Sequence, residues 1–561
     1  MDRKKSISYM NAFKITVLLT IVLCSCTTHE TFDVLIRNGQ IIDGSGAPSF
    51  KGDIGVNADT IAVIGRLKNA GGRTVIDAEG LAVSPGFINM LSWAVESLIE
   101  DGRSQSDIRQ GVTLEVLGEG DSWGPLSDKM KSQMKKDQGD IKYDIEWTTL
   151  DEYLEFLEKR GVSPNIASFV GSSTLRIHTV GYENRPSSQT ELASMKFLLR
   201  QALEDGAVGL SSALEYVPAS FAATDELISL CKVVAEYDGM YISHIRNEDD
   251  HILESIDEMI SVAKEANIRS EIYHFKQVGR SNWDKLDPAV RKIDSARSAG
   301  LHITADMYNY TASSTGFDIL MPDWVQEGGF DAWSERLRDP QIRKMVGPMI
   351  LGTIHRKPGS AENILLVGFN NDSLKYLTGK TLAEVAEMRR KSPEETVMDL
   401  VIEDGSRIGV VYFSMSEDNI RKEITLPWMS FCSDGSSSAP EGVFLKSSTH
   451  PRAYGNFARL LGKYVRDEKI ISLEEAIRRL TSLPAGNLKI RNRGVLRTGC
   501  YADLAIFNPD SIRDNATFEM PQKYATGMVH VFVNGIQVLN NGEHTGARPG
   551  RVVRGPGWKP D

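Results

Sequence analysis

Two rhythms of apolar and polar positions divide the chain. Near its start, residues 33–44 (DVLIRNGQIIDG) place two apolar runs around Asn38-Gly39, a strong short-range hairpin signal, and residues 53–65 (DIGVNADTIAVIG) repeat the pattern. Residues 501–510 (YADLAIFNPD) and 529–542 (VHVFVNGIQVLNNG) read the same way at the far end, with Asn534-Gly535 as the turn. These segments predict one small sheet domain built from both ends of the chain, over 32–84 and 490–547.

Between them, short apolar runs are each followed by a longer amphipathic stretch. GVTLEVLG precedes SDKMKSQMKK, VGLSSAL precedes TDELISLCKVVAEY, and MYISHI precedes HILESIDEMISVAKEA. This is the alternation of βα units around a parallel sheet, and it predicts an α/β barrel over 85–489. The sequence contains no G-x-G-x-x-G, which removes the simplest argument for a dinucleotide-binding open sheet. A stretch over 315–365, with Pro322, Trp324, Gly328 and Gly329, breaks the rhythm and predicts an insertion beside the site.

The first residues read as a targeting segment. Arg3, Lys4, Lys5 and Lys14 flank an apolar core, ITVLLTIVL over 15–23, too short for a permanent transmembrane helix. The following Leu23-Cys24-Ser25-Cys26 resembles a bacterial lipobox, so residues 1–25 are expected to be a lipoprotein signal peptide and Cys26 the lipidated residue. An ordinary cleaved secretory peptide is the alternative. The lipid would be the membrane contact, placing the protein in the bacterial cell envelope, periplasmic or outer-membrane associated. With 561 residues and 41% hydrophobic positions, the remainder can build one large domain and a smaller companion. A net charge of -11 with no basic run argues against nucleic acid as a partner. Cys231, Cys432 and Cys500 are too few and dispersed for a disulfide framework and are expected in the core.

Four groups close apolar runs where a barrel would open its mouth: Glu119 in EVLGEGDSW, His244 in YISHIRNE, His274 in EIYHFKQVG and Asp434 in FCSDGSS. Imidazole and carboxylate suit a zinc-like metal, and a catalytic site needs about three protein ligands and an open position. Read alone, the two histidines equally fit a hydrogen-bonded core, and Asp434-Gly435 equally fits a turn. Four such groups at four strand ends favour a site.

Motifs along nearly all of the chain after the leader carry a closer likeness. They include DVLIRNGQIIDGSGAP, LAVSPGFIN, QGVTLEVLGEG, GLSSALEYVP, SHIRNE, YNYTASSTG, HPRAYGNFARLLG, LEEAIRRLTSLPA, ADLAIFNP and HVFVNG. Together they resemble the N-acyl-D-amino-acid deacylase (D-aminoacylase) family of the amidohydrolase superfamily. The resemblance implies a (β/α)8 TIM barrel with a β-sandwich from both termini. It also implies metal-dependent hydrolysis of N-acyl-D-amino acids, small-molecule substrates, to a carboxylate and a D-amino acid. It assigns His244 and His274 as metal ligands and Asp434 as the catalytic acid/base. It places Glu119 where the family carries a ligating cysteine, Gly120 being the other alignment. Arg452 matches an arginine that grips the substrate carboxylate, Tyr216, Tyr308 and Ser314 match pocket positions, and Lys276 is given an electrostatic role.

The chain departs from the family at its first strand. The usual P-G-F-I-D-x-H-x-H reads Pro85-Gly86-Phe87-Ile88-Asn89-Met90-Leu91-Ser92-Trp93, so the paired histidines are replaced by Leu91 and Trp93. Neither offers a lone pair to a metal, and one Zn2+ per chain is therefore expected. A cyclic-amide hydrolase of the hydantoinase type and a catalytically impaired ligand-binding lipoprotein are the rival readings.

Overall fold

The computed structural model describes residues 31–559. At its centre, eight parallel strands close a barrel: Phe87–Asn89, Val112–Leu117, Asn165–Ser168 continuing as Val170–Gly171, Gly209–Ala213, Met240–His244, Arg269–Ile272, Ile303–Met307 and Met429–Phe431. Neighbours pair in that order. The last strand returns to the first, where the Met90 N–H donates to Phe431 O at 3.4 Å and the Ser433 N–H to Asn89 Oδ1 at 2.8 Å. The strands are buried almost throughout because helices cover the sheet outside and Ile88, Leu114, Val116, Ala167, Met240 and Ile242 fill it inside. The amphipathic runs form helices that pack their apolar stripes on the strands, as in Thr224–Glu236 and Ile252–Glu265.

A nine-stranded sheet joins the two ends of the described chain. Its order runs from Glu543–His544 through Ile536–Asn540, Met528–Val533, Leu504–Phe507, Ala82–Pro85, Thr31–Ile41 and Phe50–Asn57 to Thr60–Gly65, with Gly71–Asp77 alongside Thr31–Ile41. It encloses its own core of Ile36, Ile54, Val56, Ile61, Leu504, Ile506 and Phe532. Asn534-Gly535 forms the tight turn read from the sequence, both residues with positive φ. Asn38-Gly39 does not. Thr31–Ile41 is one continuous strand whose register against Phe50–Asn57 shifts between Ile36 and Gly39. Here the Asn-Gly pair makes a bulge, with Asn38 at φ 60° and its side chain donating to Asp77 Oδ1 at 2.9 Å.

The expected insertion over 315–365 lies within a larger lobe spanning residues 313–412. Ser313–Gly316, Ile364–Gly368 and Gly409–Tyr412 form an antiparallel sheet, and helices Pro340–Arg356 and Pro393–Asp404 cover a separate core around Phe317, Ile350, Leu366 and Val401. After the last strand, the chain runs under the barrel, where the Gly550 N–H donates to Val162 O, Val553 N–H to Ile166 O and Gly555 N–H to Gly206 O. Cys231, Cys432 and Cys500 are buried free thiols. Among the described residues, no helix is long and apolar enough to cross a membrane. The leader and Cys26 lie outside the described residues.

Candidate metal centre and active site

The barrel strands bring three donors to one point. His244 ends the strand Met240–His244, while Glu119 and His274 each lie two residues past a strand end. His274 Nε2 is 2.8 Å from Glu119 Oε1 and 3.0 Å from His244 Nδ1, which is itself 3.3 Å from Glu119 Oε1. All three residues are buried. This is the ligand number and chemistry of a catalytic zinc-type site.

The remaining polar atoms of the three donors are also held. His244 Nε2 lies 3.1 Å from Glu215 Oε2, and His274 Nδ1 lies 3.1 Å from Glu248 Oε1, so each ring has a carboxylate partner behind it. Trp93 Nε1–H donates to Glu119 Oε2 at 3.0 Å. Glu215, His244 and Glu248 form a second cluster of ligand type. That cluster is already met by two ammonium groups, Lys357 on Glu215 and Lys276 at 2.6 Å from Glu248 Oε1, so a divalent cation is better placed among Glu119, His244 and His274.

The electrostatics agree. Burial alone would raise the three glutamates, yet cationic neighbours hold all of them below the usual carboxylate range: the two histidines for Glu119, Lys357 and His244 for Glu215, and Lys276 with the histidines for Glu248. Burial and Lys276 push His274 down, but Glu119 and Glu248 outweigh them and hold its imidazole up at about 10. The carboxylates thus demand positive charge where the three donors meet. That is the condition a bound divalent cation satisfies.

Asp434 and Arg452 stand on the other wall. Burial pushes the Asp434 carboxyl up, opposed first by Arg452 and then by His274. Arg452 Nη1 is 2.8 Å from Asp434 Oδ2, off the angle of a hydrogen bond, and Arg452 Nε and Nη1 have no hydrogen-bond partner although the residue is 3% exposed. Its guanidinium lies 4.3 Å above the Tyr308 ring, and Nη2 donates to Ser314 O at 3.3 Å. Both His274 and Asp434 have positive φ, 35° and 45°, a conformation that non-glycine residues adopt mainly where surrounding structure enforces it. Here the His274 N–H donates to Asp306 Oδ1 at 2.7 Å and the Asp434 N–H to Leu91 O at 3.0 Å. Glu119, His244, His274, Asp434, Arg452, Tyr216, Tyr308, Ser314 and Lys276 all line one cavity of about 440 Å³, with Lys276 2.8 Å from His274 Nδ1.

The arrangement has counterparts in known proteins. The Amidohydrolase family model matches residues 370–539. The D-aminoacylase of Alcaligenes xylosoxydans xylosoxydans is 31% identical over 94% of this chain and 99% of its own length. The chain belongs to the D-aminoacylase family. Solved structures of this family superimpose on it closely. The N-acyl-D-glutamate deacylase of Bordetella bronchiseptica, solved with zinc and a phosphonate inhibitor mimicking the tetrahedral intermediate, has a TM-score of 0.78 at 29% identity and covers 94% of this chain and all of its own. A D-aminoacylase described by one-metal activation and second-metal attenuation of a binuclear centre gives 0.78 at 30% identity, covering 93% of this chain and all of its own.

Several residues of this family member's site escape a reading of the sequence. Glu215 follows a strand as a lone carboxylate in the LEY segment, and Glu248 follows another in the charge run RNEDD, which reads as solvated loop. Lys357 comes from the lobe, 142 residues after Glu215, and no spacing signals it. Trp93 reads only as the absence of a ligand, whereas its indole N–H is a partner of Glu119.

Proposed function

We propose that this chain hydrolyses the amide bond of N-acyl-D-amino acids, or of fragments containing D-amino acids, releasing a carboxylate and a D-amino acid. The observation that carries this reading is the convergence of Glu119, His244 and His274 within 2.8–3.3 Å in the cavity that also holds Asp434 and an unsaturated Arg452. A single Zn2+ held by Glu119, His244 and His274 would supply polarisation of the scissile carbonyl and acidification of water. One ion per chain is favoured because Leu91 and Trp93 offer no lone pair and Trp93 occupies the second oxygen of Glu119.

The protein's own groups then have definite tasks. Asp434 accepts the proton of the attacking water and returns it to the leaving amine, a dual role that its burial-raised carboxyl suits. Arg452, whose Nε and Nη1 make no hydrogen bond although Nη1 is paired in charge with Asp434, receives the substrate carboxylate, and the Tyr308 face beneath keeps the guanidinium in place. Lys276 and Glu248 keep His274 in position. The leader and the Leu23-Cys24-Ser25-Cys26 sequence support lipidation at Cys26 and a place in the cell envelope.

An assay with N-acetyl-D-methionine and its L-isomer, run with metal analysis, tests the reading. The D-isomer should be cleaved and the L-isomer spared. Asp434→Asn should lower the rate at least about a hundredfold with metal still bound. Absence of turnover on a panel of N-acyl-D-amino acids by metal-loaded protein would reject the function, and an active Asn variant would reject the base.

A further inference from the structure

We propose that the inserted lobe fixes the metal-binding orientation of His244 through Lys357, which acts as a positioning residue by anchoring Glu215; the proposal rests on the metal-site reading above. Lys357 follows the lobe helix Pro340–Arg356, and its side chain is 6% exposed, leaving the lobe to enter the barrel mouth. Its ammonium meets Glu215 Oε1 and lies 3.4 Å from Asp249 Oδ2. The opposite oxygen of Glu215 is 3.1 Å from His244 Nε2, which leaves Nδ1 to face Glu119 and His274.

A continuous route therefore runs from the lobe to the ligand: ammonium, carboxylate, imidazole. A histidine that ligates through Nδ1 must carry its proton on Nε2, and Glu215 is the acceptor that holds it there. Without Lys357 that buried carboxylate would lose the cation at its outer oxygen and be free to rotate away, which releases the His244 ring. Arg356, the neighbouring residue, is 40% exposed and pairs with Asp249 and Asp250, not with Glu215. It fastens the lobe to the barrel and meets this route only through Asp249 Oδ2, which it shares with Lys357.

The two residues therefore separate positioning from simple attachment. Zinc affinity of the full chain, read by chelator competition, and the visible absorption spectrum of the Co2+-loaded protein are the measurements. Lys357→Met should weaken Zn2+ binding about 10–100-fold and alter the Co2+ spectrum, Lys357→Arg should restore most of both, and Arg356→Ala should change neither. In a Glu215→Ala background, Lys357→Met should add little, because both changes break the same route. Should Lys357→Met not fold, Glu215→Gln reads the same route with the side-chain shape kept. Wild-type affinity and spectrum in Lys357→Met, additive effects of the pair, or an equal loss in Arg356→Ala would overturn the proposal. Metal binding by the wild type that ignores Glu119→Ala would instead reject the metal-site reading beneath it.

Discussion

Trp93 turns its indole N–H onto Glu119 Oε2 at the strand where the resembled family carries paired histidines, while Leu91 beside it is fully buried. The position has thus exchanged a lone-pair donor for a proton donor, and the partner it serves is Glu119, one of the three donors proposed to hold the metal. Trp93→Phe keeps the ring and removes the hydrogen bond, so zinc affinity should fall by about tenfold, the scale of one lost hydrogen bond to a charged group. Leu91→Ala should instead lower unfolding stability by about 2–5 kcal/mol with little effect on metal. Chelator competition and urea unfolding separate the two, and unchanged affinity in Trp93→Phe would end this role for the indole. The sequence makes the missing histidines plain, because residue type alone shows that no lone pair is present. It could not show the hydrogen bond, since that depends on where the indole points. His244, His274 and Asp434 stand at strand ends, which in a barrel all face one mouth, so position along the chain marks them as candidates, and the resemblance gives them roles that position alone leaves open.

Elements were legible where local pattern and tertiary partners agree. Asn534-Gly535 joins Met528–Val533 to Ile536–Asn540, which pair directly with each other across the turn, and the dipeptide acts as it would in a short peptide. Around Asn38-Gly39 the flanking runs have better partners than one another, Phe50–Asn57 on the antiparallel side and Gly71–Asp77 with Ala82–Pro85 on the parallel side, so the same dipeptide becomes a bulge. The helix Glu417–Thr425 offers a test of burial at this scale. Glu423 is 1% exposed, and burial, opposed by Gln277 and Lys276, pushes its carboxyl up to about 8. Its folded value lies above the unfolded one, so its contribution to stability is full below the unfolded carboxylate range and is lost as pH rises through about 8. Glu423→Gln removes that loss. Urea midpoints should show the variant gaining on the wild type between pH 5 and pH 9, and a constant difference would show that Glu423 does not titrate in this way.

For the whole molecule, the barrel and its terminal sheet follow from the change of period along the chain, since strand-helix alternation and hairpin-rich ends cannot share one layer. The extent of the lobe does not follow. Its strand Gly409–Tyr412 pairs with segments about fifty and a hundred residues earlier, and such distant pairing leaves no local mark. The proposed lipid anchor would likewise act on the whole molecule. If Cys26 carries the lipid, the protein should partition with membranes, and Cys26→Ser should release it or leave the precursor uncut. Equal membrane fractions for both forms would reject the anchor.

The terminal sheet also sets an order on biosynthesis. Ala82–Pro85 pairs with Leu504–Phe507, and the barrel floor near Val162, Ile166 and Gly206 is closed by residues 550–555. A ribosome making about 5–20 residues per second exposes the early strands for tens of seconds before those partners exist. The first hairpins must therefore wait, half paired and apolar, while the barrel condenses. Maturation of the fold is timed by the arrival of its last segment, and any stalled chain is left with an open sheet edge that a chaperone or protease can recognise.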